Sequence, residues 1–392
     1  MTINYGAQMV NIREIAERYS EEIYANLEKL VNINSFSTNI AGLNSLSDAL
    51  AAIADSHGIV LERKIVAEDP TRRPHLLYAN EQRDDYYAFI GHFDTVHPPE
   101  SDFNQLVKNG EHWIGPGVND MKNGLLIALY TLIILKQLMP LEEIPLKILF
   151  NSDEEISSPV SKDIIETELR NARGGFVFES GRVPGDKIVT TRKGVIGLDI
   201  EVIGKPSHAG ESPSTGINAI VDAATMISKL DVLNNGAEGV SIQCTEIAGG
   251  TARNVIPDRC YVGVDIRVPD VKKQDQLLQD INRLLKDSSF VNSQIEYEIK
   301  VKRPPFVKTA ESIKLINKYL AVAASLGFAV EETSSGGVSD ANNLSSFGVP
   351  VIDGLGALGN FPHTKKEYMV KQSLLDRLVI FSSFFYELIQ EG

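Results

Sequence analysis

Cysteine is scarce: the 392 residues include two, Cys244 and Cys260. Two cysteines make no disulfide framework, and they read as small apolar packing residues in a chain suited to a reducing compartment. Basic excess is absent as well. Lys and Arg total 38 against 52 Asp and Glu, a formal charge of −14. That balance excludes nucleic acid or an anionic membrane as the main partner, since both need basic surface. An acidic total also leaves room for carboxylates gathered around cations. Long apolar runs are missing too. The longest, "LLIALYTLIIL" from Leu125 to Leu135, is too short to span a bilayer and is closed by Lys136. The opening "MTINYGAQMVNIREIAERYSEEI" carries Glu14 and Glu17 and no sustained apolar core, so it is not read as a signal peptide. A cytoplasmic protein is expected.

What is present is ordinary for a globular chain, 43% hydrophobic and 23% charged, and its length suits two domains. Up to about residue 192, apolar strands (86–91, 145–151, 174–180) alternate with helices (10–32, 45–58, 121–139, 161–172). That alternation predicts an α/β sheet covered on both faces. The texture changes near Lys193. "GVIGLDIEVIG" alternates as a half-exposed strand does, and the order strand, helix, strand, strand, helix, strand continues to residue 304. This is the pattern of a ferredoxin-like α+β sandwich with one open sheet face. The expected organisation is a discontinuous α/β domain, 1–192 and 305–392, with the α+β domain 193–304 inserted into it.

The candidate chemistry sits just past the apolar strands. His92 and Asp94 follow the first in "YYAFIGHFDTVHPP", Asp153, Glu154 and Glu155 follow the second, and Glu179 ends the third. Asp120 lies in "GPGVNDMKNG" before the buried helix, and His363 in the Gly/Pro loop "GNFPHT". Alone, each fragment is unremarkable: a His-x-Asp is commonly a surface loop, and a "DEE" run a solvated helix start. Together they recur at strand C-terminal ends, the rim where open α/β sheets bind ligands. So many converging carboxylates need protons or cations to neutralise them. Imidazole with carboxylate suits zinc, with manganese or cobalt as alternatives. No serine or cysteine nucleophile is called for; "GESPSTG" lacks the strand–turn–helix frame of a nucleophile elbow.

These stretches, with "FESG", "GKPSHAG", "ARNVIPD", "DIRVP" and "SSGGVSDA" in the same order, resemble the dinuclear zinc aminoacylase and carboxypeptidase family over nearly the whole chain. Its members include acetylornithine deacetylase, succinyl-diaminopimelate desuccinylase and bacterial glutamate carboxypeptidase. The resemblance implies two zinc ions per chain. Asp120 bridges them, His92 and Glu179 complete one site, and Glu155 and His363 complete the other. It implies that Glu154 is the general acid/base and that Asp94 accepts a hydrogen bond from His92, fixing its tautomer. It also implies a cis Asp120–Met121 peptide. His208 would reach the active site of a partner subunit and stabilise an oxyanion, making the active form a homodimer joined through the inserted domain.

Other positions keep two readings. His208 is otherwise a plain loop histidine. Asn254 and Arg267 match substrate-carboxylate positions, but Arg267 reads equally as a sheet-edge charge, and Arg303 as either. Gly336 and Gly337 present backbone N–H groups to a substrate carboxylate, with Asp340 orienting them, or simply pack a loop. His97 is expected to be a bystander, and His57, His75 and His112 to face solvent. The expected function is hydrolysis of an amide bond next to a free carboxylate, of the glutamate carboxypeptidase type. N-acyl amino acid deacylation of the acetylornithine deacetylase type is the alternative. A single-metal hydrolase and a metal-loaded, non-catalytic scaffold are the others.

Overall fold

The computed structural model describes residues 5–391 except 288 and 290, and the chain divides into two compact units. The larger comprises residues 1–191, 308–334 and 339–392; the smaller comprises 192–307 and 335–338. The sequence reading left 335–338 in the larger unit. The structure groups them with the smaller one, because the Lys193 N–H bonds the Ser335 carbonyl and the Arg192 guanidinium holds the Gly337 carbonyl.

The larger unit is built on a mixed six-stranded sheet, in the order Glu62–Lys64, His75–Ala79, Leu146–Asn151, Tyr87–His92, Gly175–Val177, Val351–Ile352. The Tyr87–His92 strand runs parallel to both neighbours, with His92 beside Asn151 and Ile90 beside Val177. Every residue of this strand is buried, as a strand covered on both faces requires. The Asn123–Lys136 helix is buried from Asn123 to Leu135, which explains its lack of a polar stripe. By length and composition, Val118–Lys136 passes for a membrane span, but its residues form core here.

Aromatic side chains lock sheet to helix. Phe89 meets Phe178, Phe381 and Phe385 at centroid separations of 5.3, 5.1 and 4.8 Å, each in edge-on geometry. Phe381 and Phe385 belong to the long Lys371–Gln390 helix. Such pairs add about 0.5–1.5 kcal/mol each beyond the area they bury. Gly124 opens the buried helix where no side chain fits: a Cβ there would lie 2.0 Å from the Phe178 carbonyl oxygen.

The 10–32 stretch forms two helices, Tyr5–Arg18 and Ser20–Val31, rather than one. Strands at His112–Ile114 and Asp186–Arg192, too short or too polar to declare an apolar period, appear only in the fold.

The smaller unit has a four-stranded antiparallel sheet, ordered Ser241–Gly249, Arg259–Val268, Gly194–Ile203, Gln294–Arg303. Ile196, Leu198, Ile200 and Val202 alternate onto the core face, packed with Ala223 and Met226 of one helix and Leu277 and Ile281 of another. Side chains of Asn218 and Asp270 cap those helices, accepting N–H bonds from their first turns.

Candidate metal centre

The parallel register gathers the rim residues. His92 ends its strand, level with Asn151, after which the chain turns through Asp153 into a short 3-10 turn at Glu154–Ile156. Val177 is paired with Ile90, so Glu179, two residues on, comes level with His92. The His92 Nε2 and a Glu179 oxygen are 3.6 Å apart. Asp120 is delivered by a wide π-type turn, Val118–Lys122, and its peptide to Met121 is cis. His363 comes from the loop after Gly359–Asn360, where Phe361 and His363 both adopt left-handed backbone, φ 59° and 63°. Such conformations are held only when the surroundings demand them, and they concentrate at functional sites.

Asp120 stands in the middle. Its Oδ1 is 3.2 Å from His92 Nε2, and its Oδ2 is 3.3 Å from His363 Nε2. The His363 Nε2 is also 3.1 Å from Glu155. Donor atoms of His92, Glu154 and Glu179 lie within 4.8 Å of one another, as do those of His92, Asp120 and Glu155. The side chain of His92 is 2% exposed and that of His363 55%, so one histidine closes the floor and the other stands on the rim.

The electrostatics describe a cation site. Burial disfavours charge on the His92 imidazole, yet its hydrogen bonds to Asp120 and Asp94 and the Glu179 charge hold its pKa well above the usual value. Hydrogen bonds to Asp120 and Glu155 raise His363 to about 11. Burial and the Asp120 charge push Glu155 up to about 8. Burial works against ionised Asp120, but its bonds to His363 and His92 keep its pKa well below the usual range. Protons on both imidazoles and on Glu155 thus do the neutralising work that divalent cations can do. The donor set of imidazoles, a central carboxylate with an oxygen toward each, and flanking glutamates fits a dinuclear metal centre.

Asp94 does more than the His-x-Asp spacing conveys. The His92 Nδ1 lies 3.1 Å from the Asp94 main-chain carbonyl and 3.4 Å from its carboxylate. That carboxylate accepts the Glu154 N–H at 3.1 Å, the Glu155 N–H at 3.2 Å and the Ser37 hydroxyl at 2.8 Å. Asp94 therefore ties the histidine strand to both glutamates. Asp340 braces the same loop from behind: it accepts bonds from Asn151 and Ser158 at 2.5 and 2.7 Å.

The structure places the remaining histidines and corrects the expectation that His75 faces solvent. His97 is buried and faces Glu367 at 3.4 Å, because the Glu367 side chain reaches back beneath the Asp120 loop. His75 is fully buried at the start of its strand, where burial and Arg73 press its pKa down to about 4. His57 pairs with Glu22, and His112 is exposed against Tyr368. Sequence reasoning passed over Glu367 and Ser37. Glu367 stands four positions after His363, a spacing that flags it; Ser37 gave no signal.

The remaining predicted residues belong to the smaller unit. His208 is exposed, and its Nδ1 accepts N–H bonds from Gly210 and Glu211, both 3.1 Å. A neutral ring held this way carries its proton on Nε2. Asn254 sits beside it: its carbonyl accepts the Ala209 N–H at 2.8 Å. Arg267 forks onto Asp265 with two 2.8 Å bonds and reaches the Gly336 carbonyl at 3.4 Å. Gly337 directs its carbonyl to Arg192 and its N–H to Ser335, so that N–H is already engaged.

A family model described as a peptidase dimerisation domain, of the M20 type, matches residues 190–290. The chain is 27% identical over 368 residues to carboxypeptidase G2 of a Pseudomonas species, covering 90% of this chain and 85% of that protein. It is 28% identical over 308 residues to acetylornithine deacetylase of Myxococcus xanthus, covering 74% and 76%. In fold it is similar to a Staphylococcus aureus tripeptidase, with a TM-score of 0.77 at 20% identity over 95% of this chain and 99% of that one. A dinuclear metal-binding peptidase from Bacillus subtilis superposes with a TM-score of 0.71 at 15% identity, covering 96% and 99%. Residues 190–290 thus match a peptidase dimerisation domain of the M20 type, and the relatives along the rest of the chain indicate a metal-dependent amide hydrolase.

Proposed function

We propose that the chain is a dinuclear zinc exopeptidase that cleaves an amide bond next to a free carboxylate. The observation that carries this reading is the Asp120 carboxylate, with one oxygen 3.2 Å from His92 and the other 3.3 Å from His363. His92 and Glu179 would hold one ion and Glu155 and His363 the other, with Asp120 placed to serve both. When bound, the cations supply Lewis acidity, polarising the amide carbonyl and making water acidic enough to lose a proton near neutral pH. Glu154 takes that proton and returns it to the leaving amine. Its carboxylate lies among the His92 and Glu179 donors, and its N–H is pinned by Asp94, so its position is set from the backbone.

The active form is a homodimer through the inserted domain, in which His208 acts on the oxyanion in the partner subunit's site. An Nε2–H donor, with Nδ1 occupied by two backbone N–H groups, supports that role. Arg267, Asn254, Gly336 and Gly337 contribute to carboxylate recognition, Arg267 after leaving Asp265. The two free thiols agree with a cytoplasmic location.

Glutamate carboxypeptidase-type cleavage is preferred on the longer match to a carboxypeptidase; N-acyl amino acid deacylation is the second reading, favoured by the 28% identity to a deacetylase. A substrate panel run alongside metal analysis tests both. Hydrolysis of peptides and conjugates ending in glutamate, abolished by a chelator and restored by zinc, is the expected result. Turnover of acetylornithine alone selects the second reading. Chelator-resistant turnover, or bound metal without turnover of any substrate, overturns the proposal.

A further inference from the structure

Glu367 is a buried carboxylate, 1% exposed, that the metal assignment leaves without a task. Its Oε1 accepts N–H bonds from Asn119 at 2.8 Å and Asp120 at 3.0 Å. Its Oε2 accepts the Gly117 N–H at 3.1 Å and faces His97 Nε2 at 3.4 Å. The main chain of the same residue also takes part: its carbonyl accepts the Gly115 N–H at 3.3 Å, and its N–H donates to Thr364 at 3.1 Å.

A carboxylate is buried at high cost unless hydrogen bonds replace its water, and loop N–H groups are equally costly to bury unpaired. Here each need satisfies the other. Gly117, in left-handed backbone at φ 71°, turns the loop so that its N–H groups converge on one anion, as in an anion-binding nest. The residue bonded last in that loop is Asp120. Its carboxylate must meet His92 and His363 with opposite oxygens at once, so a tilt that shortens one contact lengthens the other. Glu367 lies four positions beyond His363 and so anchors the loops of both residues.

We infer that Glu367, with His97 against its outer oxygen, is a positioning residue for the metal pair: it locks the Asp120 loop to the His363 loop and sets the separation of the two half-sites. This rests on the metal-centre reading above.

The test is a competition titration of metal-stripped protein with zinc, read beside the melting temperature of the metal-free form. Glu367→Gln keeps the size but replaces one acceptor oxygen by a donor. It is expected to weaken at least one of the two zinc affinities about 10–100-fold, as the loss of an outer partner of a metal ligand does. His97→Phe keeps the ring packing on Phe103 and is expected to weaken affinity at least about threefold. Leu50→Ala, a core change in the Ile40–Ser56 helix, lowers the melting temperature and leaves zinc affinity intact. The inference is overturned if Glu367→Gln binds both ions as tightly as wild type, or if Leu50→Ala weakens binding equally. Should Glu367→Gln fail to fold, unaltered zinc affinity in His97→Phe overturns it. Asp120→Asn separates the two readings: wild-type zinc binding in that variant sinks the metal centre itself.

Discussion

The main-chain N–H of Glu154 donates to Asp94 Oδ1 at 3.1 Å, so the proposed general base is held in place by a residue two positions from the proposed ligand His92. The other Asp94 oxygen takes the Glu155 N–H and the Ser37 hydroxyl. One buried carboxylate therefore fixes a base, a ligand and, through the 3.4 Å contact to Nδ1, an imidazole.

Asp94→Ala removes all of these acceptors. It is expected to lower kcat about 10–100-fold or more, the usual scale for an outer partner of a metal ligand. Asp94→Asn keeps one oxygen and should fall between the two. Steady-state kinetics with metal content measured on the same samples distinguish lost positioning from lost metal.

Glu154→Gln preserves shape and removes the proton acceptor. Metal content should stay at the wild-type value while kcat falls about 10²–10⁴-fold, the range for general-base removal. Full turnover in this variant would exclude Glu154 as the base.

Protonation and metal uptake are linked. Metal-free protein holds protons on Glu155, at about 8, and His363, at about 11. Ligands must shed protons to bind, so zinc uptake at pH 7 should release protons, and affinity should fall as pH drops. Calorimetry in buffers of different ionisation enthalpy measures the release. Both folded-state pKa values are raised, so the metal-free fold binds the extra protons. Its stability should therefore decline as pH rises, from about 4.5 to 8 through Glu155 and from 6.5 to about 11 through His363. Melting curves from pH 6 to 9, with and without zinc, check the sign; a metal-free melting temperature that climbs over this range would contradict it.

Gly124→Ala drives a methyl to 2.0 Å from the Phe178 carbonyl, one residue before Glu179. Backbone must move, and about 1–3 kcal/mol of stability should be lost. Because the shift reaches Glu179, zinc affinity should fall as well, which thermal melts and metal titration read separately.

Much of the site was legible because strand ends in an α/β sheet converge by rule. His92, Asp153–Glu155 and Glu179 each follow an apolar run, and parallel register then sets them level. The division of Asp120, in "GPGVNDMKNG", and His363, in "FPHT", between two half-sites came from the resemblance to the dinuclear zinc family rather than from any local pattern. The contact of His97 with Glu367 was not legible for a physical reason: the two lie 270 positions apart, and no local pattern reports a contact across that distance.

The sequence by itself determined the two textures, the inserted α+β segment and the residue types able to hold cations, because periodicity and side-chain chemistry are local properties. Tertiary structure alone decided that Asp120 turns one oxygen to each histidine, that Asp94 grips the Glu154–Glu155 backbone and that Glu367 lies beneath the Asp120 loop. Those are relations between distant segments, fixed by strand register and by the requirement that buried N–H groups and buried carboxylates satisfy one another.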